Sequence, residues 1–236
     1  MPMRAQQLAG MRLFVGLSAE ALADVAATGR VQSLPKGTIL FTQGTAADRC
    51  HAVIAGRMRI SQAGVEGSQL IVRFIGPGEM FGTMALFTDG RYPADAVTLV
   101  DSIEISWTEP VLLELIHRYP QIALNLVRIA GARLREAQER LRELATEQVD
   151  RRIAHMLLRL AGPGALQGNM DAAIAFPLTR QDIASMCGAT LYTASRILKT
   201  WERAGYVSTH HRRLTIHQLV EIRRIAEGHR SQKTQP

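Results

Sequence analysis

Between Ala123 and Leu144, apolar residues return at steps of four and three: Ala123, Val127, Ala130, Leu134, Ala137, Leu141 and Leu144. Nothing else in the chain restricts its folding as narrowly. A repeat of 3.5 residues keeps one stripe of a helix in line for three heptads, roughly 33 Å at 1.5 Å per residue. Charges flank the stripe at Arg133, Arg135, Glu136, Glu139, Arg140, Arg142 and Glu143. A helix lying on its own domain needs a broader apolar face. A two-in-seven stripe containing Ala130 and Ala137 instead lets two helix backbones approach closely. The seam therefore predicts a homodimer joined along this helix, with an amphipathic helix packed on its own domain as the plainer alternative.

The texture changes on either side. From about Val31 to Trp107, short apolar and β-branched runs recur at 38–41, 52–60, 69–75, 97–100 and 103–107, with Gly37, Gly44, Gly56, Gly64, Gly67, Gly76, Gly78, Gly82 and Gly90 punctuating them. Many short strands with glycine turns predict an antiparallel barrel or double-sheet roll. Within it, Met58-Arg59-Ile60-Ser61 alternates as a half-buried strand should. Ser18 and Glu20 open a short helix ahead of the roll. Beyond the seam a break at 146–150 leads into an amphipathic helix with Ile153, Met156, Leu157 and Leu160, which Gly162-Pro163-Gly164 should end.

The richest segment is 178–202. Thr179 is placed to cap a first helix whose buried face is Ile183, Ala184 and Cys187. Gly188 permits a tight turn, and Thr190 caps a second helix that buries Ala194, Ile197, Leu198 and Trp201. The opposite face of that helix carries Tyr192, Thr193, Ser195, Arg196 and Lys199. Two short helices about a glycine turn, with the second exposing a polar N-terminal half, predict a helix-turn-helix. Residues 205–216 then read as a β-hairpin wing. Charge agrees with a nucleic-acid partner: residues 1–150 hold 15 Lys/Arg against 16 Asp/Glu, and residues 151–236 hold 13 against 5, a balance of −1 and then +8.

Several classes are excluded or disfavoured. No apolar run reaches the length of a membrane helix, and Glu20 and Asp24 interrupt the only candidate leader, so the expectation is a cytoplasmic protein without a membrane partner. Two distant cysteines, Cys50 and Cys187, give neither a disulfide framework nor metal-ligand spacing. Cys187 reads as a small core residue and Cys50 as a strand-edge residue. There is no phosphate-cradling loop, nucleophile elbow or metal-binding histidine motif, so an enzyme is not expected.

At this point the chain resembles, over almost its whole length, the CRP/FNR transcription regulators. The resemblance rests on Pro35-Lys36-Gly37, Phe41-x-x-Gly44, Ala52-Val53-Ile54-x-Gly56, Gly76-x-Gly78-x-x-x-Gly82, the heptad helix and Thr179-Arg180-Gln181-Asp182-Ile183-Ala184. It implies an α+β chain: a cyclic-nucleotide-binding-type β-roll with an N-terminal helix over 1–119, a dimerisation helix over 120–146, and a winged helix-turn-helix over 147–228. The helix-turn-helix motif itself would span about 180–199, and 229–236 would be a tail. It further implies a homodimer on a two-fold symmetric double-stranded DNA operator, working with RNA polymerase. Thr179, Arg180 and Gln181 match the family's phosphate contacts, and Thr190, Thr193 and Lys199 join them as expected backbone contacts. Arg196 matches the arginine that reads guanine O6 and N7, preceded by Ser195 as in the FNR branch. Tyr192 departs from the pattern, because both branches usually carry a glutamate that accepts from cytosine N4.

The roll also departs from the cyclic-AMP branch. Thr83 follows Gly82 where the family has glutamate, and Pro93-Ala94 stand where it has Arg-Ser, so the cyclic phosphate lacks its guanidinium and cyclic AMP is disfavoured. An iron–sulfur cluster is excluded because it needs about four thiolates. What remains resembles the NNR/DNR group, which answers nitric oxide in denitrification and for which haem is the implied cofactor. The suggestive segments are Phe81-Gly82-Thr83-Met84-Ala85-Leu86-Phe87 and the 190–196 recognition segment. Candidate axial ligands include His51, His117, His155 and several methionines, with nothing in their spacing selecting one, whereas His210, His211 and His217 fall in the wing as phosphate neighbours. An effector pocket would involve Phe81, Gly82, Thr83, Met84 and Arg91. Two rivals stand beside this reading: a cyclic-nucleotide receptor with Arg91 as an atypical phosphate clamp, and a nucleotide-binding module that controls a protein partner.

Overall fold

The computed structural model describes residues 5–64, 69–165 and 171–228; Gly67 and the expected tail 229–236 lie outside them. The chain divides into two compact units, Met1–Ala137 and Gln138–Pro236.

The first unit opens with α1 (Ala5–Ala9), a 3₁₀ turn (Arg12–Phe14) and α2 (Ala19–Thr28), which Ser18 caps by accepting from the Ala21 amide at 3.2 Å. Two antiparallel four-stranded sheets follow. In one, β1 (Arg30–Leu34), β8 (Ser102–Thr108), β3 (Arg49–Ala55) and β6 (Met80–Phe81) lie side by side in that order. In the other the order is β2 (Ile39–Phe41), β7 (Asp95–Thr98), β4 (Met58–Ala63) and β5 (Gln69–Ile75). The short α3 (Thr83–Leu86) follows β6, and α4 (Glu109–Arg118) leads into α5 (Gln121–Thr146).

The expected roll is therefore present, with three corrections. The run 52–60 is two strands, because the chain crosses between sheets at Gly56. That glycine has φ of 92° and lies so close to Ser102 that an added Cβ would sit 2.6 Å from its Cα. The run 97–100 ends at Thr98. The alternation at 58–61 fails because the β4–β5 register shifts between Ile60 and Ser61, which leaves Met58 and Ser61 fully buried and Ile60 only half so.

Two apolar clusters fill the unit. One gathers the N-terminal helices, Trp107, Leu112, Leu115 and Ile122, and the other holds Leu34, Val53, Met58, Ile75, Phe81 and Ala96 between the sheets. Trp107 donates its indole N–H to the Val25 carbonyl at 2.9 Å. The buried Asn125 amide donates to the carbonyls of Leu13 and Val15 at 2.9 and 2.8 Å, fixing the start of α5 to the N-terminal segment.

In the second unit, the helix α6 (Val149–Ala165) breaks at Gly162, as expected, where φ of 79° and ψ of 170° are not helical. Then come β9 (Ala172–Ala173), α7 (Arg180–Met186), α8 (Leu191–Arg203), β10 (Val207–His210), β11 (Arg213–Ile216) and α9 (Leu219–Ala226). The strands form an antiparallel sheet in the order β10-β11-β9. The end of α5 is held by buried carboxylates: Glu143 takes a forked pair of bonds from Arg159 at 2.6 and 3.2 Å, and Glu147 accepts from Arg142 at 3.0 Å.

Cys50 is not at an edge. It sits fully buried in the interior strand β3, opposite Trp107. Cys187 is buried in the second unit, as expected. Burial pushes both thiols up to about 12. Above pH 9 the unfolded chain loses these protons while the folded chain keeps them, so their contribution to stability is complete below pH 9 and declines as pH rises towards 12. A thiol reagent at pH 8 should therefore label neither cysteine in the native protein and both after denaturation. Rapid labelling of a native thiol would contradict the burial.

Candidate nucleic-acid interface

Local capping builds the helix-turn-helix. Thr179 accepts from the Asp182 amide at 3.0 Å, and the Asp182 carboxylate accepts from the Thr179 amide at 2.8 Å, a reciprocal box that sets the start of α7. Gly188 takes φ of 56° in the turn. Thr190 then accepts from the Thr193 amide at 3.1 Å and starts α8. Ala194, Leu198 and Trp201 are buried beneath α8, while Ile197, expected beside them, is only partly covered.

The outer face of α8 carries what a base-reading helix needs. Tyr192 is 78% exposed, Arg196 and Lys199 are exposed, and Thr193 and Ser195 are half-buried between them. Residues 192, 196 and 199 are spaced by four and three, so they share one face. The Arg196 guanidinium has no intramolecular partner among the described residues; its carbonyl accepts from the Thr200 hydroxyl at 3.1 Å. Leu191, at the first turn, is 47% exposed.

Not every expected phosphate contact is equally free. Arg180 is paired with Glu202 at 2.9 Å, and the Thr179 hydroxyl is engaged in its cap, donating to Asp182 at 2.7 Å. Gln181 is exposed, with its amide 3.4 Å from Ser185. Thr190 and Thr193 share a hydroxyl contact at 2.9 Å.

The wing supplies further candidates. His210, His211, Arg212 and Arg213 are exposed in succession at its tip, where His211 and Arg212 both take positive φ, 49° and 65°, across a two-residue turn. Sequence reasoning does not single out these arginines, although a basic run at a hairpin tip is the available signal. His217 is already committed, to Asp171 and Ser208 at 2.8 Å each.

Along α5 the expected seam faces outward. Val127, Leu134, Leu141 and Leu144 are 70%, 61%, 68% and 47% exposed, Ala137 is exposed, and Ala123 and Ala130 are half-buried. The roll instead uses Ile122, Asn125, Leu126 and Ile129.

The residues expected to form an effector pocket do not come together as one. Phe81 and Thr83 are buried, whereas Met84 is 44% exposed and Arg91 faces outward, donating to the Gly44 carbonyl at 2.7 Å. Around Gly82 the interior is aromatic. His51 stacks on Phe81 with centroids 5.1 Å apart, and Tyr92 stacks on Phe41 at 3.7 Å. Gly82 holds φ of 74°, and a Cβ there would lie 3.2 Å from both His51 and Tyr92. The buried His51 places Nδ1 3.0 Å from Glu104 and Nε2 3.4 Å from the Tyr92 hydroxyl. Burial also pushes the Tyr92 phenol up to about 12. The Thr83 hydroxyl is buried without a hydrogen-bond partner among the described residues.

Among the described residues, no helix is long and apolar enough to cross a membrane, and no three His, Cys, Asp or Glu side chains gather as a metal site.

Comparison with known proteins accounts for both units. Residues 31–119 match the cyclic nucleotide-binding domain and residues 151–225 the Crp-like helix-turn-helix domain. The chain is 29% identical over 219 residues to the cyclic AMP receptor protein of Thermus thermophilus, covering 93% of this chain and 98% of that one. It is 27% identical over 200 residues to a CRP-like cAMP-activated global transcriptional regulator of Mycobacterium tuberculosis, covering 85% and 89%. The crystal structure of the Thermus thermophilus catabolite activator protein superposes with a TM-score of 0.54 at 28% identity, over 92% of this chain and 99% of that one.

Proposed function

The chain belongs to the CRP/FNR family of DNA-binding transcription regulators, and from that premise we propose that it acts as a homodimer on an inverted-repeat operator. The observation that carries this reading is the pairing of two exposed surfaces: the apolar seam of α5 and the Tyr192-Arg196-Lys199 face of α8. A two-fold axis along α5 relates two recognition helices, and their targets are then half-sites about one DNA turn apart. Arg196 reads guanine in the major groove, with Tyr192 and Ser195 beside it. Lys199, Gln181, Thr190, Thr193 and the N-terminus of α7 position the phosphate backbone. RNA polymerase is the partner of the DNA-bound dimer.

Tyr192 sets the test. A phenol offers no carboxylate to cytosine N4, so the half-site keeps a TTG-like core and relaxes at the adjacent pair. Sites selected from random duplexes by the wild-type protein and by Tyr192→Glu should differ at that one pair, with the variant gaining a C·G preference of about tenfold, in line with ~1–3 kcal/mol for a good base contact. Identical logos would remove Tyr192 from the base-reading set.

For the effector, the resemblance points to nitric oxide read by haem, but none of the three histidines named for it is placed as a free, enclosed ligand. Both His51 ring nitrogens are engaged, and His155 lies 3.3 Å from the buried Glu147 carboxylate. His117 is exposed on α4. The relatives' names point to cyclic AMP, and the unpartnered Thr83 hydroxyl favours a polar ligand inside the roll. Against a cyclic phosphate, Arg91 is turned to Gly44 and cannot close a clamp without leaving it. Titration with haem and with cyclic AMP tests both: a stoichiometric Soret band would restore the haem reading, and saturable cyclic-AMP binding abolished in Arg91→Ala would establish the clamp.

A further inference from the structure

A second polar site lies outside the DNA-binding face. In the N-terminal unit a cavity of about 150 Å³ opens between the 3₁₀ turn, β5, β6 and α5, with Arg12, Arg73, Glu79, Met80, Arg133 and Glu136 in its wall. Its charges are unevenly matched. Glu79 is committed on both oxygens, to Arg73 at 2.8 Å and to the Gly76 amide at 2.7 Å. Arg133 donates to the Met80 carbonyl, an uncharged acceptor. Burial first, and then the like charge of Arg73, bring the Arg133 guanidinium down to about 10, and Glu79 and Glu136 only partly offset this. Three arginines face two carboxylates in this wall, and Glu79 is already spent on Arg73, so a bound anion would be met chiefly by Arg12 and Arg133.

We infer that this cavity binds a small tetrahedral oxyanion of the phosphate type, held chiefly by Arg12 and Arg133 with Arg73 beside them. Guanidinium forks match tetrahedral oxyanions with paired, charge-assisted hydrogen bonds, and a partly dehydrated wall strengthens each of them. The enclosed volume is small. Pockets for drug-sized ligands run to roughly 300–1,000 Å³, so the site accepts a phosphate or the phosphate end of a larger molecule rather than a whole enclosed nucleotide. Arg73 belongs to the roll and Arg133 to α5, so the bound anion ties the helix to the sheet. A metabolite with an exposed phosphate group would thereby act on the segment that carries the dimer seam.

Calorimetric titration of the full-length protein with inorganic phosphate, at constant ionic strength in chloride, tests this independently of any operator. One saturable site per chain is expected, with nitrate failing to compete. Arg12→Gln and Arg133→Gln should each weaken it at least about tenfold, while Arg180→Gln in the other unit leaves it unchanged. Arg12 is exposed, so its replacement does not disturb the core. No saturable phosphate binding would overturn the inference. So would binding that survives Arg12→Gln but falls with Arg180→Gln, because the anion would then sit on the DNA-binding face.

Discussion

Replacing Leu134 by glutamate should convert the protein to a monomer at micromolar concentration without unfolding it. In the protomer Leu134 is 61% exposed at the middle of α5, so the substitution costs the fold little. Across a two-fold seam the same residue occurs twice. Two leucines lose burial worth about 1.5–3 kcal/mol each, and two carboxylates are brought together with no cation supplied. The dimer constant should therefore weaken by about 10²–10⁴-fold. Operator affinity falls with it, because one recognition helix then finds one half-site. Leu134→Met, which keeps volume and polarity, should remain dimeric and is the control for the position. Sedimentation velocity with an unchanged far-ultraviolet spectrum reads the result. A Leu134→Glu protein that stays dimeric would place the interface elsewhere and leave the exposed seam without a role.

The sequence made the elements legible wherever their cause is local. Thr179 with Asp182, Gly188 and Thr190 are caps and a turn within a few residues of what they shape, and each does locally what its spacing indicated. The outward-facing stripe of α5 was legible because a narrow stripe differs in period from a packed face. What was hidden depends on partners distant in sequence. Gly56 marks a crossing between sheets only because Ser102 presses against it, and Arg91 looks available until the Gly44 carbonyl is seen beside it. Arg180 likewise reads as a free phosphate contact until Glu202, on the next helix, pairs with it. The arginine cavity draws on residues 12, 73 and 133, which no window of sequence could bring together. Departures from the family pattern, at Thr83, Pro93 and Ala94, were plain in the sequence, but the aromatic surroundings of Gly82 that go with them were not.

Removing one side chain, that of Arg196, should abolish sequence preference while leaving general affinity for DNA. The guanidinium is exposed on α8 and spends no hydrogen bond on any described residue of the protein, so Arg196→Ala changes the interface and not the fold. A bidentate contact to guanine contributes about 1–3 kcal/mol of discrimination, and a symmetric dimer makes it twice. Specific affinity should then fall by about 30- to 10⁴-fold. Lys199→Ala is expected to behave differently. A phosphate contact carries no base information, so removing it weakens cognate and random duplexes alike and lowers the salt slope by about one for each phosphate left unneutralised. Binding to cognate and scrambled duplexes across a salt series separates the two outcomes. If Arg196→Ala weakened both duplexes equally and flattened the salt dependence, Arg196 would be a phosphate anchor, and base reading would have to move to Tyr192 and Ser195.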